Sequence, residues 1–334
     1  MNLPTIDQLE LSEKRVILRG DLDVDVESDH VVSAKRIEVL LLTINKLLEK
    51  NVSKITIIGH RGRPEGEVKE EFSLRPLANW FSEKLSQEVG FAESFESIPD
   101  NKIVLFENLR FLKGEEENSE GFVEQLAQLG EVYVNDAFGV SHREHASIIG
   151  LPKKMSKAAG LHLVEEVDQL SKVVDNPARP FVFLLDGVKQ DKLSYLDKFI
   201  EISDMVLVGG RLPEYLDENY KHDKVIVAKL IQDKEDITLH SVEAFEKEIS
   251  KAKTILLSGP VGKFEEEGHR LGTQKVFEAI ANSSAYRVAG GGDTEAAIKL
   301  FELEDNFDWI STGGGAMLEF IAKGTLPGLQ ALLD

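Results

Sequence analysis

Residues 286–302 of the chain are YRVAGGGDTEAAIKLFE, in which a strand-forming run leads into three glycines and then a helix-forming run. WISTGGGAMLEFIAKG, residues 309–324, repeats this order. Three successive glycines leave backbone N–H groups uncovered at the start of a helix, where the partial positive charge of the helix dipole attracts phosphate. The repeated pattern predicts an α/β fold with two phosphate-binding loops, formed by Gly290, Gly291 and Gly292 and by Gly313, Gly314 and Gly315.

The residues after the first triplet carry the polar chemistry of that loop. Asp293 stands at the predicted helix start, where it is either an N-cap or an oxygen ligand for Mg²⁺, and Thr294 follows it. One triplet alone also fits a tight turn, but two triplets in the same strand-to-helix position favour phosphate binding. Residues 259–264, GPVGKF, are not a P-loop, because their glycines are too close together and no Ser or Thr follows the lysine.

Alternating strand and helix patterns extend along the chain. Helices are predicted at residues 37–48, with Ser33 as N-cap, and at residues 74–89 and 119–129. The predicted strands are residues 14–19, 54–59, 102–106, 131–135, 181–185, 204–208, 254–258, 285–289 and 308–311. A helical segment at residues 151–179, bounded by prolines, is the predicted connector between two domains. The alternation is typical of βαβ units on mostly parallel sheets.

Composition excludes several classes of protein. The chain has 334 residues, a net charge of -20 and no cysteine. Its length suits two domains, and the absence of cysteine excludes disulfides, thiolate metal sites and cysteine nucleophiles. The acidic balance argues against general nucleic-acid binding. No residue run predicts a membrane span or a secretory signal, so we expect a cytoplasmic protein.

Basic residues of the first half stand at strand ends, helix starts or loops, where open α/β sheets collect ligand-binding groups. They are Arg19, Arg36, Arg63, Arg110 and Arg143, with His60 and His142. Any one of these arginines could be a solvated surface residue. Guanidinium groups pair bidentately with carboxylate and phosphate, so the whole set in an acidic chain predicts a site for a small, multiply charged anion.

FLLDGVKQDKLSYL, residues 183–196, is a third segment of interest, because it places Lys189 and Lys192 after a hydrophobic strand and a glycine. These lysines either neutralise phosphate or belong to a solvated helix start.

Taken in order, these segments resemble the phosphoglycerate kinase family over nearly the whole chain. The resemblance is carried by Arg36 in AKRI and by KRVILRGDLDV (14–24), IIGHRGRPEG (57–66), LFENLRFLKGEE (105–116), YVNDAFGVSHREHAS (133–147), SGPVGKFE (258–265), AGGGDTEAA (289–297), STGGGAMLEF (311–320) and LPGLQAL (326–332). ENLRF-x-KGEE, NDAFG-x-x-HR-x-HAS and STGGGA are together very specific motifs.

The resemblance implies an enzyme with two Rossmann-like, doubly wound parallel-sheet domains. We expect a domain for 3-phosphoglycerate at residues 1–155, a hinge helix at 156–178 and a nucleotide domain at 179–315. A C-terminal segment, residues 316–334, is expected to return to the first domain. The implied reaction is reversible, Mg²⁺-dependent phosphoryl transfer between ATP and 3-phosphoglycerate, giving ADP and 1,3-bisphosphoglycerate, in glycolysis and gluconeogenesis. The implied protein is a monomer with small-molecule substrates.

The resemblance also implies roles for single residues. The acid would bind to a patch of residues from the first half, namely Arg19, Asp21, Asp23, Arg36, His60, Arg63, Arg110, His142 and Arg143, with His145 in support. His142 and His145 alone would suggest a metal site, but no third ligand is placed by the sequence. The nucleotide would bind to Lys189, Lys192, Glu265, Thr294 and the two glycine triplets, with Asp293 as the metal ligand. The implied catalytic residues are Arg36, Lys189, Gly291 and Gly314.

The chain departs from the family pattern mainly in its second half. It is several tens of residues shorter than usual, with losses between residues 186 and 241, where Asp186 replaces one glycine and the lysine segment is one residue short at Gln190. GGRLPEYL, residues 209–216, replaces a third glycine cluster, and Pro213 limits a helix there to one turn. In the first half, Asp23 stands where asparagine is usual. An extra carboxylate there should repel an anion unless it is protonated or paired.

Three hypotheses follow from this mixture of agreement and departure. The first is a compact phosphoglycerate kinase. The second is a related acyl-phosphate kinase with another phosphate donor or acid acceptor, suggested by Asp23 and the reduced base-binding region. The third is a noncatalytic relative that binds a phosphorylated acid or a partner. Lys189, Asp293 and both glycine triplets argue against the third, because a binding protein has no need of transfer machinery.

Overall fold

The structure of the chain is a computed structural model that describes residues 1–32 and 34–334. Ser33, the predicted N-cap, lies outside the described residues. The chain divides into two compact units. Unit 1 comprises Met1–Asp168 and Thr325–Asp334, and unit 2 comprises Gln169–Gly324. The prediction of two domains built on parallel sheets is confirmed.

Unit 1 contains a sheet of six parallel strands in the order β5-β6-β4-β1-β7-β8. Its strands are β1 (Arg15–Gly20), β4 (Lys54–Ile58), β5 (Val89–Ala92), β6 (Ile103–Phe106), β7 (Val132–Asp136) and β8 (Ser156–Ala159). A small antiparallel hairpin, β2 (Val26–Glu27) and β3 (His30–Val31), lies outside this sheet. Because β4, β5 and β6 lie on one side of β1 and β7 on the other, the strand order reverses between β1 and β7. Ligands of open parallel sheets bind at such a reversal, beyond the carboxyl ends of the strands.

The helices of unit 1 cover the sheet with apolar faces. They are α1 (Lys35–Glu38), α2 (Leu40–Glu49), α3 (Arg75–Leu85), α4 (Lys113–Glu116) and α5 (Glu120–Ala127). Helix α2 buries Leu40, Ile44 and Leu47 at the three-and-four spacing of an amphipathic helix. The predicted helices at residues 37–48, 74–89 and 119–129 are confirmed, the second ending at Leu85.

Unit 2 repeats the design with six parallel strands in the order β11-β10-β9-β12-β13-β14. They are β9 (Phe181–Leu185), β10 (Met205–Val208), β11 (Val225–Val227), β12 (Thr254–Ser258), β13 (Tyr286–Gly290) and β14 (Trp309–Ser311). The helices are α7 (Leu196–Ile202), α8 (Leu239–Ile249), α9 (Leu271–Ala281), α10 (Gly292–Leu300) and α11 (Gly314–Lys323). The strand order reverses between β9 and β12.

Two connections correct the expected domain limits. The segment predicted to be helical at residues 151–179 contains β8 and then α6 (Leu161–Val174), and the division between the units falls inside α6. The return to unit 1 begins at Thr325 rather than at residue 316, because residues 316–323 belong to α11 of unit 2. Helix α12 (Pro327–Leu333) then packs in unit 1, where Gly328 N donates to Ser141 O at 2.8 Å. The role of α6 as a hinge stays a prediction.

Candidate functional site

A buried arginine lies near the carboxyl end of β1, at the strand reversal of unit 1. The side chain of Arg19 is fully buried, and its guanidinium donates from Nε to Ser147 Oγ at 2.9 Å and contacts His60 Nδ1 at 3.0 Å through NH2. NH1 donates to the carbonyl of Gly20. These three contacts therefore fix the Arg19 side chain within the protein.

A carboxylate that the sequence did not single out completes this network. Glu115 is fully buried, and its two oxygens accept from Ser147 Oγ at 2.6 Å and from Ser147 N at 3.0 Å. Burial raises the pKa of Glu115, and the positive charge of Arg19 opposes this. Ser147 thus links a buried cation to a buried anion. Both residues lie within quoted motifs, KGEE and HAS, and the acid in the first of these was the available signal.

The two histidines closest to this network are uncharged at neutral pH. Burial lowers the pKa of His60 well below its usual value, and the charges of Arg19 and Arg110 lower it further. Burial and the charge of Arg110 lower the pKa of His145 to about 3. These groups influence one another only because the fold gathers them, although they are far apart in sequence.

Asp23 and Arg36 are joined through the main chain. Arg36 NH1 donates to the Asp23 carbonyl at 3.1 Å, and Gly62 N donates to the Asp23 carboxylate at 2.8 Å. Arg110 NH1 donates to the Gly62 carbonyl at 2.8 Å and its Nε lies 3.1 Å from Glu116 Oε1. The Asp23 carboxylate therefore accepts a backbone N–H, which gives the extra acid a partner within the predicted anion site.

The remaining predicted residues of unit 1 lie in loops after β1, β4 and β7. Arg63 and Arg143 are exposed, and neither side chain forms a hydrogen bond or ion pair with the residues that the structure describes. Asp21 is nearly buried, and its Oδ1 has no hydrogen-bond partner in the described part of the chain. His142 is half-buried beside Arg143. The guanidinium groups of Arg63 and Arg143 are therefore accessible, whereas Arg19, Glu115 and Ser147 are buried and bonded to one another.

In unit 2 the two glycine triplets meet. Strands β13 and β14 are adjacent, with Gly290 opposite Ser311, and each leads into a helix through glycine. Gly291 has a φ of 110°, in the region that favours glycine. The backbones approach so closely that a Cβ on Gly314 would lie 2.6 Å from Gly291 Cα. The N-termini of α10 and α11 therefore open side by side, as expected for a site that binds phosphate.

The side chains of Thr294 and Lys192 form hydrogen bonds within the protein. Thr294 is 1% exposed, and its hydroxyl donates to Gly290 O at 3.0 Å and accepts from Gly259 N at 2.9 Å. Lys192 Nζ donates to Asp186 O at 2.6 Å and to Ser258 O at 2.9 Å. Both side chains are therefore bonded within the protein, and their contact with a phosphate stays a prediction. The sequence could not show this, because the direction of a side chain depends on neighbouring loops.

Asp186 is a buried acidic residue at the strand reversal of unit 2. It follows β9, is fully buried, and neither carboxylate oxygen has a hydrogen-bond partner among the described residues. Burial raises the pKa of Asp186 well above its usual value, and the charge of Lys192 opposes this. A Cβ on Gly209 would lie 2.4 Å from Asp186 Oδ1, so the end of β10 accommodates this side chain only with glycine.

A cavity of about 540 Å³ lies beside these loops. Glu265 and Asp293 line it together, as do the glycines at the ends of β9 and β10. Its lining residues are Gly187, Val188, Gly210, Arg211, Lys234, Glu235, Pro260, Gly262, Lys263, Phe264, Glu265, Glu266 and Asp293. Lys189 is exposed at the start of the short 3₁₀ helix after β9.

Comparison with known proteins decides the family. The family model described as phosphoglycerate kinase matches residues 6–223 and 213–323.

The chain belongs to the phosphoglycerate kinase family.

Individual relatives agree over the full length. A protein of Finegoldia magna named phosphoglycerate kinase is 33% identical over 393 aligned positions, covering 99% of each chain. The structure of phosphoglycerate kinase from Coxiella burnetii is 30% identical with a TM-score of 0.84, and covers 99% of each chain. The enzyme from Pyrococcus horikoshii is 26% identical with a TM-score of 0.85, and the match covers 99% of this chain and 98% of that one.

The alignments also locate the shortening of this member of the phosphoglycerate kinase family. The alignment to the Finegoldia magna protein has 393 positions against 334 residues here, so it contains gaps on this side. The family match divides at residues 213–223, between β10 and β11. Only a 3₁₀ helix, Leu212–Tyr215, occurs in that connection, with proline in its first turn. The predicted limit that Pro213 sets on this helix is confirmed.

A divalent cation fits the residues that a phosphoglycerate kinase would offer it here. Asp293 is an exposed carboxylate in the first turn of α10. No group of three or more His, Cys, Asp or Glu side chains suited to a metal occurs in the described ranges 1–32 and 34–334. One carboxylate beside two glycine loops suits Mg²⁺, which usually takes one or two protein carboxylates and completes its coordination with phosphate oxygens and water. Across those same residues, no helix combines the length and the apolar character needed to cross a membrane.

Proposed function

We propose that the chain is a phosphoglycerate kinase that transfers a phosphoryl group reversibly between ATP and 3-phosphoglycerate in the presence of Mg²⁺. One observation carries this proposal in unit 2. The loops before α10 and α11 meet at Gly291 and Gly314, with Asp293 exposed beside them. Two adjacent helix N-termini provide backbone N–H groups for a phosphate chain that is highly charged.

In unit 1, Arg36, Arg63, Arg110 and Arg143 would bind the carboxylate and phosphate of the acid. Arg19 and His60 would act as positioning residues, because both are buried and bonded to each other. Asp21, Asp23 and His142 complete the proposed acid site. With His60 and His145 neutral at pH 7, the positive charge for binding comes from arginine, which stays protonated at all relevant pH values.

The chemistry suits these residue types. An oxygen of the 3-phosphoglycerate carboxylate attacks the γ-phosphorus of ATP, a new C–O–P bond forms, and the bond from that phosphorus to the β-phosphate oxygen breaks to release ADP. The carboxylate is ionised at neutral pH, so no general base is required. Catalysis then depends on positioning and on neutralising charge, with Arg36, Lys189 and the N–H groups at Gly291 and Gly314 as the proposed catalytic groups.

Asp293 would hold Mg²⁺, which when bound neutralises charge on the phosphate oxygens. Glu265 and the cavity that it lines with Asp293 would receive the nucleoside. Because Thr294 and Lys192 are bonded within the protein, we propose that they fix the glycine loop and the ends of β9 and β12. The proposed protein is a monomer of the cytoplasm.

A second candidate keeps the reaction class and changes the phosphate donor. The observation that favours it is Asp186, a buried carboxyl group without a hydrogen-bond partner among the described residues, beside the proposed phosphate site. With Lys192 held on main-chain carbonyls, this part of the site has less positive charge to offer a triphosphate. A donor with a different phosphate group or base would then be preferred.

The test is isothermal titration of the full chain with 3-phosphoglycerate and, separately, with Mg²⁺-ADP, followed by a coupled turnover assay. Binding of both ligands and turnover is the expected result. Arg63→Ala should weaken binding of the acid alone, and Asp293→Ala should remove the Mg²⁺ dependence of nucleotide binding alone. Binding of the acid without the nucleotide would favour the second candidate, and binding of neither would contradict both.

A further inference from the structure

An unassigned cavity of about 890 Å³ lies in unit 1 at the carboxyl ends of β5 and β6. These strands are parallel neighbours, and the ten residues that join them, 93–102, contain turns and no helix. A connection between parallel strands normally carries a helix of a dozen residues or more that covers the sheet. Here the short connection leaves the apolar end of the sheet open.

Aromatic rings form the floor of this cavity. Phe106, Phe111 and Phe122 line it, and each is at most 6% exposed. The ring of Phe95, from the short connection, lies 4.8 Å from that of Phe106 and 6.1 Å from that of Phe122 between centroids. Phe95 therefore packs near Phe106 and Phe122, and the cavity remains open beside these rings. The volume falls within the range of about 300–1,000 Å³ that is usual for small-molecule sites.

The rim of the cavity carries an excess of negative charge. Glu93 forms an ion pair with Arg75, and Glu107 accepts hydrogen bonds from Ser73 Oγ at 2.7 Å and Leu74 N at 2.8 Å. Glu70 and Glu96 also line the rim, and neither forms an ion pair with a described cation. A hydrogen bond from Ser94 lowers the pKa of Glu96, so this group is ionised at neutral pH.

Lys113 is the opposing charge on the rim, and it also forms no ion pair with a described residue. Glu70, Glu96 and Glu107 outnumber it, and the net charge of the chain is -20. Ring faces attract cations and repel anions, since their electrostatic potential is negative. The aromatic rings and the excess of acidic side chains therefore both favour a positively charged ligand.

We propose that this cavity is a binding site for an organic cation with an apolar body, such as an aromatic or aliphatic amine. The apolar body would lie on Phe106, Phe111 and Phe122, and the ammonium group would lie near Glu70 and Glu96. None of its lining residues belongs to the proposed substrate sites, and the proposal does not rest on the proposed function.

The experiment compares three probes that share one aromatic body: 4-phenylbutylamine, 4-phenyl-1-butanol and 4-phenylbutyrate. Each is titrated into the full chain at pH 7 by calorimetry. We expect the amine to bind about tenfold more tightly than the butyrate, with the alcohol between them. The double variant Glu70→Gln with Glu96→Gln should remove most of this preference. Glu49→Gln with Glu88→Gln changes the net charge equally at exposed positions away from the rim and should leave the preference intact.

A second pair of variants tests the location. Gln125 is exposed on α5 and lines the cavity, so Gln125→Trp should block it and weaken all three probes about tenfold. Gln128→Trp places the same side chain at the end of α5, outside the lining, and should have no effect. No measurable binding by any probe, tighter binding of the butyrate, or amine binding that survives both Gln125→Trp and the rim substitutions would overturn the proposal.

Discussion

The first strands of the two sheets end beside ionisable residues of opposite type, one basic and one acidic. Near the end of β1 lies Arg19, and after β9 lies Asp186, each fully buried at the point where the strand order reverses. Arg19 has three partners, whereas the Asp186 carboxylate has none within the described ranges. The two sheets differ in strand order, and they also carry different chemistry at the point where that order reverses. Topology decides where a ligand binds, and the residues at that point decide what binds there.

The largest effect is expected from Gly314→Ala, which tests whether unit 2 depends on the contact between its loops. The new Cβ would lie 2.6 Å from Gly291 Cα, so the loops must separate. We expect turnover to fall about 1,000-fold, because the backbone N–H groups no longer converge on phosphate. Titration should show lost Mg²⁺-ADP binding and unchanged 3-phosphoglycerate binding.

Gly268→Ala is the control for that substitution, since its Cβ would meet nothing within 4 Å. If Gly314→Ala bound nucleotide as tightly as the original chain, the contact between the loops would have no part in the site.

Arg36→Ala tests whether unit 1 supplies transfer chemistry as well as binding. We expect kcat to fall about 100-fold while the dissociation constant of 3-phosphoglycerate changes much less. Steady-state kinetics and titration on the same preparation measure the two quantities. Arg15→Ala, at an exposed arginine near Glu131, is the matched control. An increase in KM with unchanged kcat would reduce Arg36 to a binding residue.

Paired alanine substitutions of the buried acids compare the two units directly. Glu115→Ala should lower the free energy of unfolding by about 2 kcal/mol, because it leaves Ser147 and the buried Arg19 without part of their network. Asp186→Ala should raise it by about 1 kcal/mol, because it removes a buried carboxyl group that has no hydrogen-bond partner among the described residues. Denaturant unfolding of both variants measures whether each substitution lowers or raises the free energy of unfolding. Equal losses would show that Asp186 is stabilised in a way that its surroundings do not indicate.

The last comparison concerns pH and belongs to unit 1. The pKa of His145 is lowered to about 3, so the folded chain binds fewer protons than the unfolded chain between that value and the ordinary value of 6.5. Its contribution to stability is therefore present above about pH 6.5 and is lost as the pH falls, by at most about 1.4 kcal/mol per unit. Unfolding free energies measured from about pH 7 to about pH 5 should fall less steeply in His145→Gln. Parallel curves would rule out this histidine as the source.

Much of the architecture could be predicted from the sequence. All nine predicted strands occur, because each is a hydrophobic, β-rich run buried between layers. Strands β2, β3, β5, β8 and β11 were missed. β8 is SKAA, which has no β-branched residue, and β11 is only three residues long. Such edge strands owe their structure to a neighbouring strand, which is a tertiary contact that local patterns do not contain.

The candidate site could be predicted less completely. The sequence predicted which charged groups face ligands, and Arg63 and Arg143 are exposed, as that prediction requires. The buried partners were invisible, since Glu115 and Ser147 are separated by 32 positions and meet only in the fold. Lys192 donates to the main-chain carbonyls of Asp186 and Ser258, which lie after different strands and are brought together only by the fold. The sequence pattern identifies the residue types at the site, and the packing of the fold decides which of their polar atoms remain free to bind a ligand.

The return of residues 325–334 to unit 1 has a consequence for synthesis on the ribosome. Leu326, Leu329 and Leu332 of this segment are buried in unit 1, together with residues that precede unit 2 in the chain. A chain grows from its N-terminus, and domains generally fold as they emerge. Unit 1 emerges first, yet it lacks these three leucines until all of unit 2 has been translated. The first unit to begin folding is therefore the last to be completed, and a chain released early would carry an unfinished unit 1.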